Sequence, residues 1–112
     1  MSTPLESLKE LVGRISSDQK TLAELTKKER RFQFRPTDGA PFYLHISPGS
    51  ITVHEGETAD PTATVIASSS DLIDVFRGQA DPFKLFFSGK LRVQGNLLEA
   101  QELARILGSA RT

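Results

Sequence analysis

The chain has 112 residues, a common size for one domain with a single core, and we expect one domain over residues 1–112. Its 14 basic and 14 acidic residues cancel, so no field for binding nucleic acid is predicted. The absence of cysteine excludes a disulfide framework, a thiol nucleophile and a thiolate metal site. Because no apolar run exceeds three residues, we expect neither a membrane span nor a signal peptide. The lack of cysteine fits a reducing compartment, so we expect a cytoplasmic protein.

The start of the chain predicts helical structure. Apolar residues recur at helical spacing from Leu5 to Ile15, after a Ser2–Pro4 segment that suits a cap followed by a first-turn proline. Ser16–Asp18 interrupts this pattern and can cap a further helix, in which Leu22 and Leu25 face inward. The pattern does not decide between two helices and one bent helix.

A basic cluster, Lys27–Arg31, follows at the predicted C-terminal end of the second helix, where cations complement the helix dipole. Such a cluster can attract an anionic membrane surface, but Glu29 dilutes its charge. A solvated helix end explains the cluster equally well, and both interpretations stay open here.

Three strands are predicted next, over 32–35, 42–46 and 50–55, because apolar and polar residues alternate there. Pro48 and Gly49 occupy the positions that a type II turn favours, so Ser47 should face Ser50 in an antiparallel hairpin. One face of the hairpin should be buried in the core, and the other should be exposed to solvent. The cross-strand pairs that follow are Ile46 with Ile51, Leu44 with Val53, His45 with Thr52 and Tyr43 with His54.

A strand and a helix are predicted between Pro61 and Gly78. Pro61–Ala67 alternates, and Ser68–Asp71 matches a capping box that starts a helix. Gly78 should end that helix after a basic last turn. The apolar residues on one side of this helix are Leu72, Val75 and Phe76.

A short helix is predicted from Asp81 to Gly89. Asp81 can cap its N-terminus, and Pro82 occupies the first turn, where the missing N–H is no loss. Gly89 should end it. Three phenylalanines fall on one apolar side of the helix, and spacing alone favours ordinary core over the wall of a pocket: Phe83, Phe86 and Phe87.

The remaining pattern predicts a strand over Lys90–Gln94 and a helix over Leu97–Leu107. Leu91 and Val93 should point to one face of the strand, and Gly95-Asn96 should break the strand and cap the helix. Two alanines on the inner stripe of the last helix leave volume that leucines would fill, although alanine is also simply a good helix former. The stripe consists of Leu97, Ala100, Leu103, Ala104 and Leu107.

This order of elements favours the α+β class, with helices gathered on one face of a sheet. The stretch Asp81–Leu103 resembles the C-terminal signature of the sterol carrier protein type 2 family, the small nonspecific lipid-transfer domains. The resemblance covers Pro61–Leu107 and is weaker before Pro61, where only element order and apolar alternation agree. It implies a five-stranded, mostly antiparallel sheet with helices covering one face and an apolar tunnel between them.

Motifs for covalent chemistry are absent from the sequence, so we expect no enzyme, no cofactor and no metal site. His45 and His54 should share the outer face of the hairpin, where surface positions are more common than metal ligands. Gly89-Lys90 and Gly95-Asn96 lack the glycine run of a phosphate cradle, and we interpret them as stops and caps.

The resemblance implies a non-enzymatic protein that binds and transfers apolar lipids, such as fatty acyl chains or sterols. Its partners would be the lipid, a membrane surface touched transiently, and at most a second copy in a weak homodimer. On the sheet, the resemblance implies a binding role for Phe32, Phe34, Leu44, Ile46, Val53, Val65, Leu91 and Val93. On the helices, it implies one for Leu72, Phe76, Phe83, Phe86, Phe87, Leu97, Ala100, Leu103, Ala104 and Leu107. The alternative is a ligand-free interaction or dimerisation module, similar to domains of this fold in larger enzymes.

Overall fold

The computed structural model describes residues 3–110, which form an α+β fold with five strands and five helices. No helix within these residues is both long and apolar enough to cross a membrane. The helices are α1 Pro4–Ser17, α2 Gln19–Leu25, α3 Ser69–Phe76, α4 Pro82–Phe87 and α5 Leu97–Ala110. The strands are β1 Arg30–Pro36, β2 Phe42–Ser47, β3 Ser50–Glu55, β4 Ala63–Ala67 and β5 Arg92–Gly95.

The five strands form one mixed sheet in the order β3-β2-β1-β4-β5. The pairs β1–β2, β2–β3 and β4–β5 are antiparallel, whereas β1–β4 is parallel. The predicted mostly antiparallel sheet is therefore confirmed. The parallel pair places residues that are far apart in the sequence side by side in the middle of the sheet.

The β2–β3 hairpin has the predicted register. Ser47 faces Ser50, and the pairs Ile46–Ile51 and Leu44–Val53 lie on one face of the sheet. Gly49 has a φ of +78°, as the third position of a type II turn requires. Along β2 the side chains alternate between buried and half-buried, so one face of the hairpin is core and the other is partly solvated.

Two separate helices begin the chain, and Asp18 lies between them. Its backbone N–H donates to the carbonyl of Ile15 at the end of α1, and its side chain accepts from the N–H groups of Lys20 and Thr21 at the start of α2. These hydrogen bonds hold the pKa of the Asp18 carboxyl below its ordinary value, chiefly through the Thr21 hydroxyl. One side chain thus ends one helix and starts the next.

The Lys27–Arg31 cluster does not lie on the last turn of a helix, because α2 ends at Leu25 and Arg30 already belongs to β1. Arg30 is only 5% exposed, and its guanidinium donates to the Leu25 carbonyl and, over 3.2 Å, to Glu99 Oε1 of α5. Lys28 Nζ lies 2.5 Å from Glu99 Oε2. Part of the expected surface cluster is therefore buried and links α2, β1 and α5 by hydrogen bonds and ion pairs.

The buried core joins the sheet to helices α1, α2, α3 and α5. Leu8, Leu11 and Ile15 of α1 are buried, and so are the sheet residues that face them. Helix α4 differs from this part of the molecule, because none of its residues is fully buried. The fold therefore buries side chains of α1 fully, whereas α4 lies at the edge of the core.

An apolar pocket beneath helix α4

An apolar pocket of about 340 Å³ lies between the sheet and helices α3, α4 and α5. Among the described residues that line it, Gln101 alone carries a polar side chain. The lining comes from three strands or strand ends and three helices: Phe34, Val65, Leu72, Val75, Phe76, Pro82, Phe83, Phe86, Phe87, Leu91, Val93, Leu97, Ala100, Gln101, Leu103, Ala104 and Leu107.

The floor of the pocket is a row of side chains across three neighbouring strands. Phe34 of β1 pairs with Val65 of β4, which in turn pairs with Val93 of β5. Because side chains directly opposite each other in a sheet point to the same face, these three form one continuous apolar surface. The Phe34 ring is held by stacking on Phe42 at 5.2 Å and by an edge contact with Phe76 at 5.4 Å.

Helix α4 covers one side of the pocket and is held chiefly by its ends. The Asp81 side chain accepts from the N–H of Phe83 over 2.9 Å, which starts the helix. Gly89 has a φ of +83°, a conformation that suits glycine, and turns the chain back. The N–H groups of Lys90 and Leu91 then both donate to the Leu85 carbonyl, at 2.9 and 3.1 Å. The chain is thereby returned to the sheet directly beside the pocket.

The three phenylalanines of α4 have different exposures, although all of them line the pocket. Phe86 is half-buried, Phe83 is 39% exposed and Phe87 is 82% exposed. The rings of Phe86 and Phe87 meet edge to face at 5.7 Å. Phe86 therefore belongs to the wall, whereas Phe87 lies at the rim where the pocket meets solvent.

Helix α5 supplies the opposite wall with small side chains. Asn96 caps the helix by accepting from the N–H of Glu99 over 3.0 Å, which fixes the rotation of the first turn. Ala100 and Ala104 then face the pocket, and Leu103 and Leu107 are buried beside them. Short side chains on this wall leave space that longer ones would occupy.

Most of the binding residues implied by the resemblance lie around this pocket, but four lie elsewhere. Phe32, Leu44 and Ile46 are fully buried in the hydrophobic core, and Val53 is half-buried against that core. They point to the same sheet face as Phe34, but they do not line the pocket. The candidate site therefore does not include these four residues.

Three lining residues were not in the predicted site: Val75, Pro82 and Gln101. Val75 was predicted on the apolar side of α3, so its spacing already indicated an inward position. Gln101 is four residues after Leu97, one helical turn along the same stripe. The spacing could have identified it, but its polar side chain did not suggest a place in an apolar wall.

The two histidines lie on the sheet face away from the pocket, because they alternate along their strands with inward residues. His45 Nε2 is 3.3 Å from Glu29 Oε2. His54 Nε2 is 2.8 Å from the Thr52 hydroxyl, and its ring stacks on Tyr43 at 5.0 Å. In residues 3–110, no group of three or more histidine, cysteine, aspartate or glutamate side chains could hold a metal ion.

Comparison with known proteins identifies similar folds and sequences. Over 90 residues, the chain is 34% identical to the mouse (Mus musculus) peroxisomal multifunctional enzyme type 2, an alignment that covers 75% of this chain and 12% of that protein. It is 26% identical to sterol carrier protein domain 2 of Helicoverpa armigera, with a TM-score of 0.70 over 97% of this chain and 89% of the other. Palmitated SCP2L2 from Aedes aegypti shares the fold, with a TM-score of 0.63 and 18% identity over 87% of this chain and 90% of that one.

The chain spans only about an eighth of the length of the mouse enzyme. The profile of the SCP-2 sterol transfer family matches residues 5–108, which is nearly the whole chain. The fold agrees with that match, because the sterol carrier protein domain from Helicoverpa armigera shares it. This chain belongs to the SCP-2 sterol transfer family.

Proposed function

We propose that this protein binds an apolar lipid, such as a fatty acyl chain or a sterol, in the pocket beneath α4 and transfers it between membranes. The observation that carries the proposal is the pocket itself, whose lining is apolar apart from Gln101. Its volume of about 340 Å³ lies within the range of about 300–1,000 Å³ that is usual for ligand sites. The proposal requires no covalent chemistry.

Transfer energies favour such a ligand. Each methylene group moved from water into an apolar site gains about 0.8 kcal/mol, so a long chain can bind tightly with few polar contacts. Since a bilayer interior is about as apolar as the pocket, exchange between the two is nearly balanced, whereas release into water is costly. A carrier with these properties binds several lipids with low specificity.

The position of Gln101 predicts the orientation of the ligand in the pocket. Its side chain is exposed at the pocket, whereas the floor residues Phe34 and Val65 are buried. We expect the apolar tail to lie over the floor and a polar end to lie beside Gln101, where an amide can donate and accept hydrogen bonds. The palmitated relative from Aedes aegypti makes a saturated acyl chain a reasonable first probe.

Native mass spectrometry of protein purified from cells, together with displacement of a fluorescent fatty acid, tests the proposal. We expect lipid to copurify and palmitate to displace the probe saturably. An apo protein that ignores the probe would refute the carrier function. The cytoplasmic location stays a prediction from composition, and fractionation of the source cells would test it.

The alternative is a ligand-free interaction module. It is favoured by one observation, that the mouse relative is a much longer enzyme of which this chain matches 12%. In that case the apolar surface around α4 would bind a second copy or another domain. The same mass spectra separate the two functions, because a module would appear as an apo dimer and a carrier as a lipid-bound protein.

A further inference from the structure

Two exposed phenylalanines lie at the rim of the pocket. Phe87 is 82% exposed and Phe83 is 39% exposed, one turn apart on α4. Burying a phenylalanine is favourable, so leaving these rings in water is a cost that contact with an apolar phase would remove. They are therefore available to a partner that offers an apolar layer.

Two lysines flank the exposed rings. Lys84 follows Phe83 and precedes Phe87 by three residues, and Lys90 is held beside α4 by the hydrogen bond from its N–H to the Leu85 carbonyl. Both side chains are exposed, and neither pairs with an acidic residue in the described part of the chain.

The sequence that follows Asp81 contains few acidic residues near these lysines. From Pro82 to Leu98 the sequence contains no acidic residue. Asp81 precedes Lys84 by three residues, but its side chain accepts from the N–H of Phe83, and it forms no ion pair with Lys84 within residues 3–110. Glu99, the next acid, is bound to Lys28 and Arg30. The C-terminal end of α4 is thus both apolar and cationic.

The basic cluster that the sequence offered for membrane contact is less suitable. Arg30 is buried, Lys28 pairs with Glu99, and Arg31 Nη2 lies 3.3 Å from Glu29 Oε2. Most of its positive charges therefore pair with acidic residues within the molecule. Lys84 and Lys90 form no such pair with the described residues, and they stand next to exposed aromatic rings.

We infer that the α4 rim, defined here as Phe83, Lys84, Phe87 and Lys90, docks on the surface of an anionic phospholipid bilayer. Aromatic rings favour the interfacial region of a bilayer, and lysines are attracted to anionic headgroups. Docking in this way places the mouth of the pocket against the membrane. The inference rests on the proposed carrier function and names the partner with which the carrier exchanges lipid.

Cosedimentation with vesicles tests the inference in the full chain. The vesicles are phosphatidylcholine alone or phosphatidylcholine mixed with phosphatidylglycerol. We expect the wild-type protein to bind the mixed vesicles more tightly, with an affinity that falls as salt rises. Phe87→Ser should lower that affinity about tenfold, and the double variant Lys84→Gln/Lys90→Gln should also lower it about tenfold, on the mixed vesicles alone.

The matched control is Lys9→Gln/Arg14→Gln, which removes two exposed cations from α1. It should bind both vesicles like the wild type. The inference is overturned if the control loses as much affinity as the α4 pair, if Phe87→Ser binds unchanged, or if the wild type ignores anionic vesicles. It is also overturned if the protein is a dimer that Phe87→Ser dissociates, because a second copy would then cover the rim.

Displacement of the fluorescent fatty acid without vesicles separates this inference from the proposed function. Lys84 and Lys90 do not line the pocket, so their double variant should bind the probe within about twofold of the wild type. Probe binding without vesicle binding would refute the docking surface alone. Vesicle binding through Phe87 without probe binding would refute the carrier function and leave the docking surface standing.

Discussion

Arg30 Nη1 of β1 lies 3.2 Å from Glu99 Oε1 of α5, and this contact joins two residues that are 69 positions apart in the sequence. Arg30 is buried, so its charge depends on that carboxylate and on the Leu25 carbonyl. Lys28 and Arg30 together hold the pKa of the Glu99 carboxyl below its ordinary value, the Lys28 hydrogen bond being the largest cause. The pair fixes the first turn of α5, from which Ala100 faces the pocket.

The lowered pKa of Glu99 predicts a loss of stability in acid. A carboxyl whose pKa is lower in the folded than in the unfolded protein stabilises the fold above its unfolded value, about 4.3, and this stabilisation is lost as pH falls through the folded value. Glu99→Gln should lower the free energy of unfolding by about 1–2 kcal/mol at neutral pH. The effect is kept small because Glu99 is partly exposed and solvent screens its charge. Urea unfolding at several pH values measures both effects. A variant whose stability falls as steeply in acid as that of the wild type would contradict this assignment.

Filling the pocket should reduce lipid affinity without unfolding the protein. Ala104→Leu adds three carbons to the α5 wall, which would displace two or more methylene groups of a ligand and lower its affinity by about tenfold or more. Displacement of the fluorescent fatty acid measures this loss, and thermal unfolding checks the fold. Ala23→Leu on the exposed side of α2 is the matched control and should bind like the wild type. Equal affinities in the two variants would show that the ligand does not lie against α5.

Gly95 should not tolerate a side chain. Its φ is +89°, and a Cβ there would lie 2.9 Å from the Thr62 carbonyl oxygen, which also accepts from the N–H of Asn96. Gly95→Ala should therefore cost about 2–4 kcal/mol of folding stability. Gly13→Ala in α1 meets no atom within 4 Å and should stabilise the protein by about 0.5–1 kcal/mol. Chemical denaturation of both variants checks this contrast, and equal stabilities would be incompatible with the geometry at Gly95.

Gln33 should be essential for the loop that follows β3. It is only 1% exposed, its Nε2 donates to the carbonyls of Phe42 and Gly56, and its Oε1 accepts from the N–H of Thr58. Gln33→Leu removes these hydrogen bonds, including the acceptor of the Thr58 N–H, and should cost about 2–3 kcal/mol. Hydrogen exchange should show the Thr58 amide losing its protection. Gln94→Leu on the exposed side of β5 is the control, and a similar loss there would count against a specific role for Gln33.

Several elements could be predicted because their signals are local. The pairing of Ile46 with Ile51 follows from a turn that Pro48 and Gly49 specify and from the two-residue period of strands. The caps at Asp18 and Asp81 likewise depend on groups within a few residues along the chain. A sequence read alone is sufficient for features of this kind.

Arg30 shows why other features could not be predicted. An arginine in a run of basic residues is usually solvated, and nothing near it in the sequence indicates a carboxylate 69 positions away. The pocket poses the same difficulty, because the spacing of apolar residues does not distinguish the wall of a cavity from a filled core. The buried Phe32 and the rim residue Phe87 are the same residue type. Their difference arises from position in the fold, because Phe32 lies in the central strand β1 and Phe87 at the end of α4.

The parallel pairing of β1 with β4 has a consequence for assembly. The row Phe34, Val65 and Val93 draws its members from the first and the second half of the chain, so neither half alone can build the floor of the pocket. Pairing these strands closes a long loop, which costs conformational entropy. The contacts that offset this cost form only when the sheet is complete, so the step is slow. A lipid bound in the completed pocket would add its binding free energy to the stability of the folded protein. The lipid-bound protein would therefore unfold at a higher temperature than the empty one.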